Sequence, residues 1–304
     1  MYNTQQPSAF FEEDFTSSTD APAAPEPFYT SKTGYSILYR YSRDGKFRIL
    51  KGLLPQYAGN PIYEGLLRKE YEIGYELDHP NICRVYSYSR WENLGNCIEM
   101  EWVDGCTLRE ASPALDSHSA GRIFCEICDA LSYMHHKQII HRDLKPENIL
   151  ITHNGGNVKI VDFGLSDTDW HYMHKGAAGT KAYAAPELLA CQESDLRCDI
   201  FSLGKIIGEV APSYGKISRK CTAYTKEKRY ANALEVKRAI TGYGNRKSTY
   251  TIIAIAIAAI AIIAAVILHY TKTNDAGVID TLFEDIGKEI LERGGNASTP
   301  PQQG

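Results

Sequence analysis

Residues 139–151 read IIHRDLKPENILI. Apolar residues open and close the stretch, while His141 to Asn148 carry five formal or potential charges and a proline. Burying so many charges without partners costs several kcal/mol each, so they must be paired, bound to an ion, or facing a cleft. Asp143 is followed two residues on by Lys145 and five on by Asn148. That spacing offers a base, a phosphate-neutralising cation and a metal ligand at one turn. Nineteen residues after Asp143 stands Asp162, between the apolar run VKIV and a Phe-Gly pair that permits a sharp turn. A second carboxylate thus arrives where a hard cation such as Mg2+ would take oxygen ligands. No GxxxxGK[ST] string occurs, which excludes the P-loop class of nucleotide enzymes.

The elements that must position these residues are also legible. Strand-like YSILYRYS, the turn RDG and KFRILKGLL make a β-hairpin punctuated by Asp-Gly. The helix-period segment PIYEGLLRKEYEIGYEL follows and stops at DHPN, where proline ends it. Two further strands, CRVYSYSRW and NCIEMEWV, lead to Gly105, and the pattern beyond is mostly helical. We therefore expect an α+β fold of two lobes, an antiparallel sheet with one helix and a mainly helical lobe, with a cleft between them.

The chain has 304 residues, 43% of them hydrophobic, enough for a proper core. Its net charge of −4 comes from acidic ends, and no run of Lys and Arg supplies the basic stripe of a nucleic-acid binder, so no nucleic-acid partner is expected. All eight cysteines lie between Cys83 and Cys221 at spacings that match no disulfide framework, which suits a reduced compartment. Cys125 and Cys128 form the one CxxC, but they sit in a helical pattern with no second ligand pair and read as core. His171 and His174 likewise read as a solvated loop. Residues 1–33, rich in Pro, Ala, Ser and Thr, cannot repay the entropy of folding and read as a disordered tail. Tyr250 to Leu268 is 19 residues without a charge; as a helix it covers ~28 Å, near the thickness of a bilayer core, and reads as a single membrane span.

Taken in order, HRDLKPEN, DFG and AAPE (Ala184 to Glu187) resemble the catalytic loop, the magnesium motif and the end of the activation segment of eukaryotic-type protein kinases. The resemblance covers residues 34–240, with an N-lobe over 34–102 and a C-lobe over 103–240. It implies ATP and Mg2+ as cofactors, Asp143 as the group that takes or orients the proton of the substrate hydroxyl, and Lys145 at the transferring phosphate. By the same likeness Asn148 and Asp162 hold magnesium, and Lys51 reaches the α- and β-phosphates. Glu70 is the expected partner of Lys51, with Glu64 and Glu72 as competitors. CIEMEWVDG looks like the strand and hinge that receive adenine, with Met100 behind and the backbone of Glu101 and Val103 bonding the base. Asp199 resembles the brace of the catalytic loop, and Glu187 is expected to pair with Arg229. Lys145 together with Thr180 is similar to the serine/threonine pattern, so protein hydroxyls are the expected substrates. Arg142 is the feature that in the family meets a phosphate on the activation segment, with Ser166, Thr168 and Tyr172 as acceptors.

Two features depart from the family. Gly34 stands alone where the nucleotide loop usually has three glycines, and the stretch after the Asp199 helix is short. They keep a rival reading in view, a catalytically weak pseudokinase acting as a membrane scaffold. A kinase domain, a juxtamembrane linker at 241–249, one span at 250–268 and a short extracytoplasmic tail at 269–304 resemble bacterial membrane-anchored Ser/Thr kinases. Arg246 and Lys247 before the span, against His269 and Lys272 after it, place the kinase domain in the cytoplasm. The apolar stripe Val278, Ile279, Leu282, Phe283, Ile286 and Ile290 makes the tail an amphipathic helix. With the small residues Ala254, Ala258, Ala261 and Ala265 of the span, it suggests a homodimer paired through span and tail.

Overall fold

The structure, a computed structural model, describes residues 24–30, 34–162 and 182–294. Met1–Gly242 forms one compact unit and Tyr243–Gly304 a second.

Five antiparallel strands build the first sheet: β1 (Glu26–Thr30), β2 (Ser36–Arg43), β3 (Lys46–Leu53), β4 (Val85–Trp91) and β5 (Gly95–Glu101), in the order β1-β2-β3-β5-β4. The expected hairpin is β2–β3. Arg43 pairs with Lys46, leaving Asp44 and Gly45 as a two-residue turn with φ of 51° and 70°. Two left-handed residues in succession are what such a turn needs to match the twist of its strands. β1 corrects the reading of residues 1–33 as a disordered tail, because Glu26–Thr30 pairs with β2 from Glu26↔Arg40 to Thr30↔Ile37. All five of its side chains are exposed, so main-chain pairing holds it, with the Phe28 ring edge-on to Trp102 at 5.0 Å. Residues 1–23 and 31–33 of that tail lie outside the described residues.

Helix α1 (Pro61–Tyr75) packs on this sheet. Asn60 caps it by accepting from the Ile62 N–H at 3.0 Å, and Pro61 supplies the first-turn residue that needs no donor.

The second lobe centres on α3 (Ser117–His136), started by Asp116, which accepts the Ser119 N–H at 2.7 Å. Phe124, Ile127, Leu131 and Met134 recur at helical spacing and are fully buried. A small sheet, β6 (Gly105–Thr107), β7 (Ile149–Thr152) and β8 (Val158–Ile160), flanks the catalytic loop, with the short α2 (Leu108–Ala111) after β6. A Cβ at Gly105 would lie 2.3 Å from the Ile151 carbonyl oxygen, so glycine is what lets β6 and β7 approach. A parallel bridge, Ile82↔Ile160, ties the lobes together. Beyond lie α4 (Pro186–Leu189), α5 (Arg197–Val210), α6 (Gly215–Cys221) and α7 (Ala233–Gly294). α5 and α6 pack closely: a Cβ at Gly204 would meet the Cys221 Cβ at 2.3 Å. All eight cysteines are free, with Cys128 buried and Cys125 partly so.

In the second unit, the helix carries side chains such as Ile255, Ile260 and Leu268 that are 65–68% exposed. Among the described residues no helix is long and apolar enough to cross a membrane. The side chains of 250–252, where the apolar run begins, lie outside the described residues. The helical expectation for the tail agrees with α7, although of its stripe only Ile286 is described, and that is exposed.

Candidate active site

β3 alternates so that Lys51 points inward, between Leu38 of β2 and Ile98 of β5, with 5% of its surface exposed. A buried ammonium needs counter-charges. Its Nζ donates to Glu70 Oε1 at 2.6 Å and also to Asp162 Oδ1. The two competitors of Glu70 point elsewhere: Glu64 accepts from Asn96 at 2.9 Å, and Glu72 pairs with Arg68 along the helix surface.

One lysine thus serves two carboxylates, and the charges adjust. Burial alone would lower Lys51, but Asp162 and Glu70 hold it well above the ordinary lysine value. Desolvation drives Glu70 up to about 7 against the pull of Lys51, with the neighbouring Asp162 charge adding to the rise. Asp162 resists desolvation because Lys51 holds it below the usual carboxylate range. Its side chain remains 47% exposed, open to the cleft.

The catalytic loop forms a second cluster. Lys145 Nζ donates to Asp143 Oδ2 at 2.7 Å, and Asn148 Nδ2 donates to the Asp143 carbonyl at 2.9 Å and to its Oδ2 at 3.2 Å. The Asn148 carbonyl accepts from the Val161 N–H at 3.0 Å, which fixes the loop to the residue before Asp162. Beneath lies Asp199 of α5, fully buried, accepting the N–H groups of His141 at 2.9 Å and Arg142 at 2.8 Å. Its third bond is to His135 Nε2 at 2.8 Å, and although burial works against it, these partners keep Asp199 below the ordinary carboxylate value. Arg142 and Asp162 have φ of 63° and 57°. Non-glycine residues in that region cost of order 1–3 kcal/mol each, a strain the surrounding hydrogen bonds must hold.

Both Nδ2 bonds of Asn148 point to Asp143, and among the described residues its Oδ1 accepts no hydrogen bond. Asn148 and Asp162 offer a hard cation an amide oxygen and a carboxylate, the kind of partial set Mg2+ takes with the rest filled by phosphates and water. Among the described residues no group of three or more His, Cys, Asp or Glu side chains could hold a metal ion.

At the hinge Met100 is 6% exposed. The Glu101 N–H is committed to the Arg84 carbonyl at 2.8 Å, so only its carbonyl, near the Cys83 thiol at 3.6 Å, faces another partner. Val103 is half-buried, and among the described residues neither of its backbone groups is bonded.

Glu187 and Arg229 meet as a buried bidentate pair at 2.6 and 2.8 Å. Gly34 lies at the edge of the described region, next to a residue sequence reasoning missed. Tyr35 is 8% exposed, its ring lies 5.7 Å from that of Tyr63, and its hydroxyl is 3.4 Å from Glu70 Oε2. Also unforeseen is Arg109, which donates to Glu147 at 2.9 Å and bonds Glu209 and Tyr183. These hydrogen bonds join residues 35 to 100 positions apart, where local spacing carries no signal. Phe163, Gly164, Ser166, Thr168, His171, Tyr172, His174 and Thr180 lie outside the described residues.

Residues 42–259 match the family model described as the protein kinase domain. The chain is 35% identical over 182 residues to the serine/threonine-protein kinase PknB of Mycolicibacterium smegmatis, covering 56% of this chain and 28% of that one. It is 34% identical over 168 residues to PrkC of Bacillus subtilis, covering 53% and 26%, and 33% identical over 187 residues to Aurora kinase C of Mus musculus, covering 60% and 67%. The chain therefore spans about a quarter of the length of these bacterial relatives. Its fold matches the PknI kinase domain of Mycobacterium tuberculosis with a TM-score of 0.57 at 21% identity, over 72% of this chain and 94% of that one. With the family model running from the end of β2 into α7, and the lysine, glutamate and aspartates of the cleft in mutual contact, this chain belongs to the protein kinase family.

Proposed function

We propose that this chain is an ATP- and Mg2+-dependent serine/threonine protein kinase held at a membrane. The observation that carries the reading is the pair of clusters on either side of one cleft: Lys51 bonded to both Glu70 and Asp162, and Asp143 flanked by Lys145 and Asn148. The scaffold alternative would have no use for a lysine buried with two carboxylates, an arrangement that is costly unless it positions something.

The geometry supports the following chemistry. Lys51, fixed by Glu70, meets the α- and β-phosphates. Asp143 accepts the proton of a serine or threonine hydroxyl as its oxygen bonds to the γ-phosphorus. The bond from that phosphorus to the bridging oxygen breaks, and ADP leaves with the electron pair. Lys145, 2.7 Å from Asp143, neutralises the transferring phosphoryl group. Asn148 and Asp162 would hold Mg2+, which would supply neutralisation of phosphate charge. The Glu101 carbonyl and the unpartnered backbone of Val103 would receive the adenine edge. Catalysis by such a set rests on positioning and electrostatics rather than covalent chemistry.

The membrane reading is supported by the uncharged run Tyr250 to Leu268 and by its exposed isoleucines. Arg246 and Lys247 put the kinase domain on the cytoplasmic side, where ATP is found. The tail and the alanines of the span favour self-association, which would raise the local concentration of kinase domains for phosphorylation in trans.

The test is incubation of the full chain with labelled ATP, with and without Mg2+. Label should enter serine and threonine only with Mg2+, and Asp143→Asn should abolish transfer while the unfolding midpoint stays within a few degrees of wild type. A folded protein that binds ATP and transfers nothing, to itself or to generic acceptors, would overturn the kinase reading.

A further inference from the structure

The C-terminal face of the kinase domain is far more basic than the chain as a whole. Residues 215–242 hold eight Lys and Arg against two acids, Glu227 and Glu235, in a chain of net charge −4. Three of the eight are neutralised at home: Arg229 by Glu187, Lys226 by Asp195 and Lys237 by Asp129. The other five, Lys216, Arg219, Lys220, Lys228 and Arg238, are exposed and make no ion pair among the described residues. The two acids do little to offset them. Glu235 accepts the Ala231 N–H, and Glu227 lies 3.9 Å from Arg197.

Lys216, Arg219, Lys220 and Lys228 lie on adjoining elements. Lys216, Arg219 and Lys220 stand three and four residues apart on α6, opposite its buried Ile217 and Cys221. Lys220 lies over the Tyr230 ring at 4.0 Å, which joins α6 to the turn bearing Lys228. α7 packs near the entry to α6: a Cβ at Gly121 would lie close to both the Tyr214 hydroxyl, one residue before α6, and Ile240 of α7. Arg238 is exposed two residues before Ile240, and Tyr224, 82% exposed, adds an aromatic ring to the face.

We propose that this face of the domain, α6 with the 226–230 turn and the start of α7, binds the anionic lipid headgroups of the membrane. The proposal rests on the anchored reading given above. Gly242 ends the first unit and Tyr250 opens the apolar run, with seven residues between them. Even fully extended, seven residues reach at most about 25 Å, so Gly242 cannot stand far from a bilayer that holds the run, and the start of α7 at Ala233 lies about 14 Å of helix before it. Unpaired lysines and arginines within a Debye length of an anionic leaflet are attracted to it, and their effects accumulate. Tyrosine, apolar in body and polar at its tip, suits the headgroup layer.

The test uses the full chain with vesicles of phosphatidylcholine alone and vesicles containing phosphatidylserine. Amide hydrogen exchange of peptides covering 215–230 reads the face, and alkaline extraction separately reads the anchor. We expect exchange there to slow several-fold on phosphatidylserine vesicles at low salt, with the protection lost in high salt and absent on phosphatidylcholine. Lys216→Glu with Arg219→Glu should lose the protection, as should the milder Lys216→Gln with Arg219→Gln, while both stay alkali-resistant and phosphorylate as wild type does in detergent. Equal exchange on the two lipids, with the chain resistant to alkali, would overturn the proposal and leave the anchor intact. If alkali releases the chain, flotation decides. Salt-sensitive flotation with phosphatidylserine vesicles keeps the face and sinks the anchor, and no flotation sinks both.

Discussion

Replacing Asp199 by asparagine is the perturbation whose consequences the structure fixes most closely. The carboxylate is wholly buried and accepts three hydrogen bonds from nitrogen, the N–H groups of His141 and Arg142 and His135 Nε2, with the Cys198 thiol at 3.9 Å as a weaker donor. Asparagine is nearly isosteric but has one acceptor oxygen, and its NH2 group would face a donor. With its oxygen where Oδ2 stands, asparagine keeps the bonds from His135 and His141 and loses the one from the Arg142 N–H, a bond to a charged acceptor, giving a destabilisation of ~1.5–3 kcal/mol. Domains of this kind are stable by only ~5–15 kcal/mol, so the variant should fold but melt early, by roughly 3–12 °C at 2–4 °C per kcal/mol.

Activity should fall further than stability. Arg142 is held at φ 63° by the Asp199 bond to its N–H, and Asp143 follows it directly. Once released, Arg142 can relax toward the ordinary region and carry Asp143 with it. A displacement of about 1 Å at a reacting group costs on the order of a hundredfold in rate. Urea unfolding and steady-state phosphorylation of a peptide acceptor at a temperature where the variant is folded measure the two effects. A loss below ~1 kcal/mol, or an unchanged kcat in the folded variant, would show that Asp199 does not hold the loop.

Glu70→Gln should lower kcat/KM for ATP by about tenfold or more by removing one of the two charges on Lys51, whereas Glu72→Gln, exposed and paired only with Arg68, should be near neutral. A larger effect at Glu72 would reassign the partner. Glu187 is held below the ordinary glutamate range because, although burial opposes it, Arg229 bonds its ionised form. A depressed folded value means that the pair stabilises the domain fully above the unfolded carboxyl value, near 4.3, and that this contribution is lost as the pH falls through the folded value. Urea midpoints measured from about pH 6 downward should therefore fall more steeply for wild type than for Glu187→Met with Arg229→Met. Gly105→Ala should cost ~1–3 kcal/mol by urea unfolding, since its Cβ would lie 2.3 Å from the Ile151 oxygen. A neutral result would mean that β6 and β7 can part freely.

Much of this site was legible because its chemistry is written locally. Asp143, Lys145 and Asn148 fall within one turn, so their residue types alone announced a shared task, and the structure gathers them within 3.2 Å. The Asp-Gly turn of β2–β3 and the proline-bounded α1 were equally local. Choosing Glu70 over Glu64 and Glu72 needed more than periodicity, since all three lie on one helix, and the family resemblance supplied it. Other features had no local signature. β1 is exposed on every residue and shows no alternation, so only its ladder to β2 reveals it. Tyr35 reads as one more aromatic in a strand-like run, and its burial exists only once α1 has docked. Arg109 bridges Glu147 and Glu209 because α2 passes between the catalytic loop and the end of α5, a tertiary accident that spacing does not encode.

Charge at the cleft shows why nucleotide and cation belong together there. The two clusters contribute Lys51 and Lys145 against Glu70, Asp162 and Asp143, a slightly negative site when all are ionised. A polyphosphate entering alone would meet carboxylates at close range with both lysines already engaged. The push of Glu70 up to about 7 expresses the same excess, since desolvation and the Asp162 charge together outweigh the one lysine that both acids share. Any positive charge brought to Asp162 relieves that competition and leaves Lys51 free to turn part of its hydrogen bonding toward phosphate. With a single glycine in the nucleotide loop, fewer backbone N–H groups can approach the phosphates closely. More of the neutralisation then falls on Lys51, whose place depends on Glu70, and through Glu70 on the Tyr35 and Tyr63 rings packed along α1.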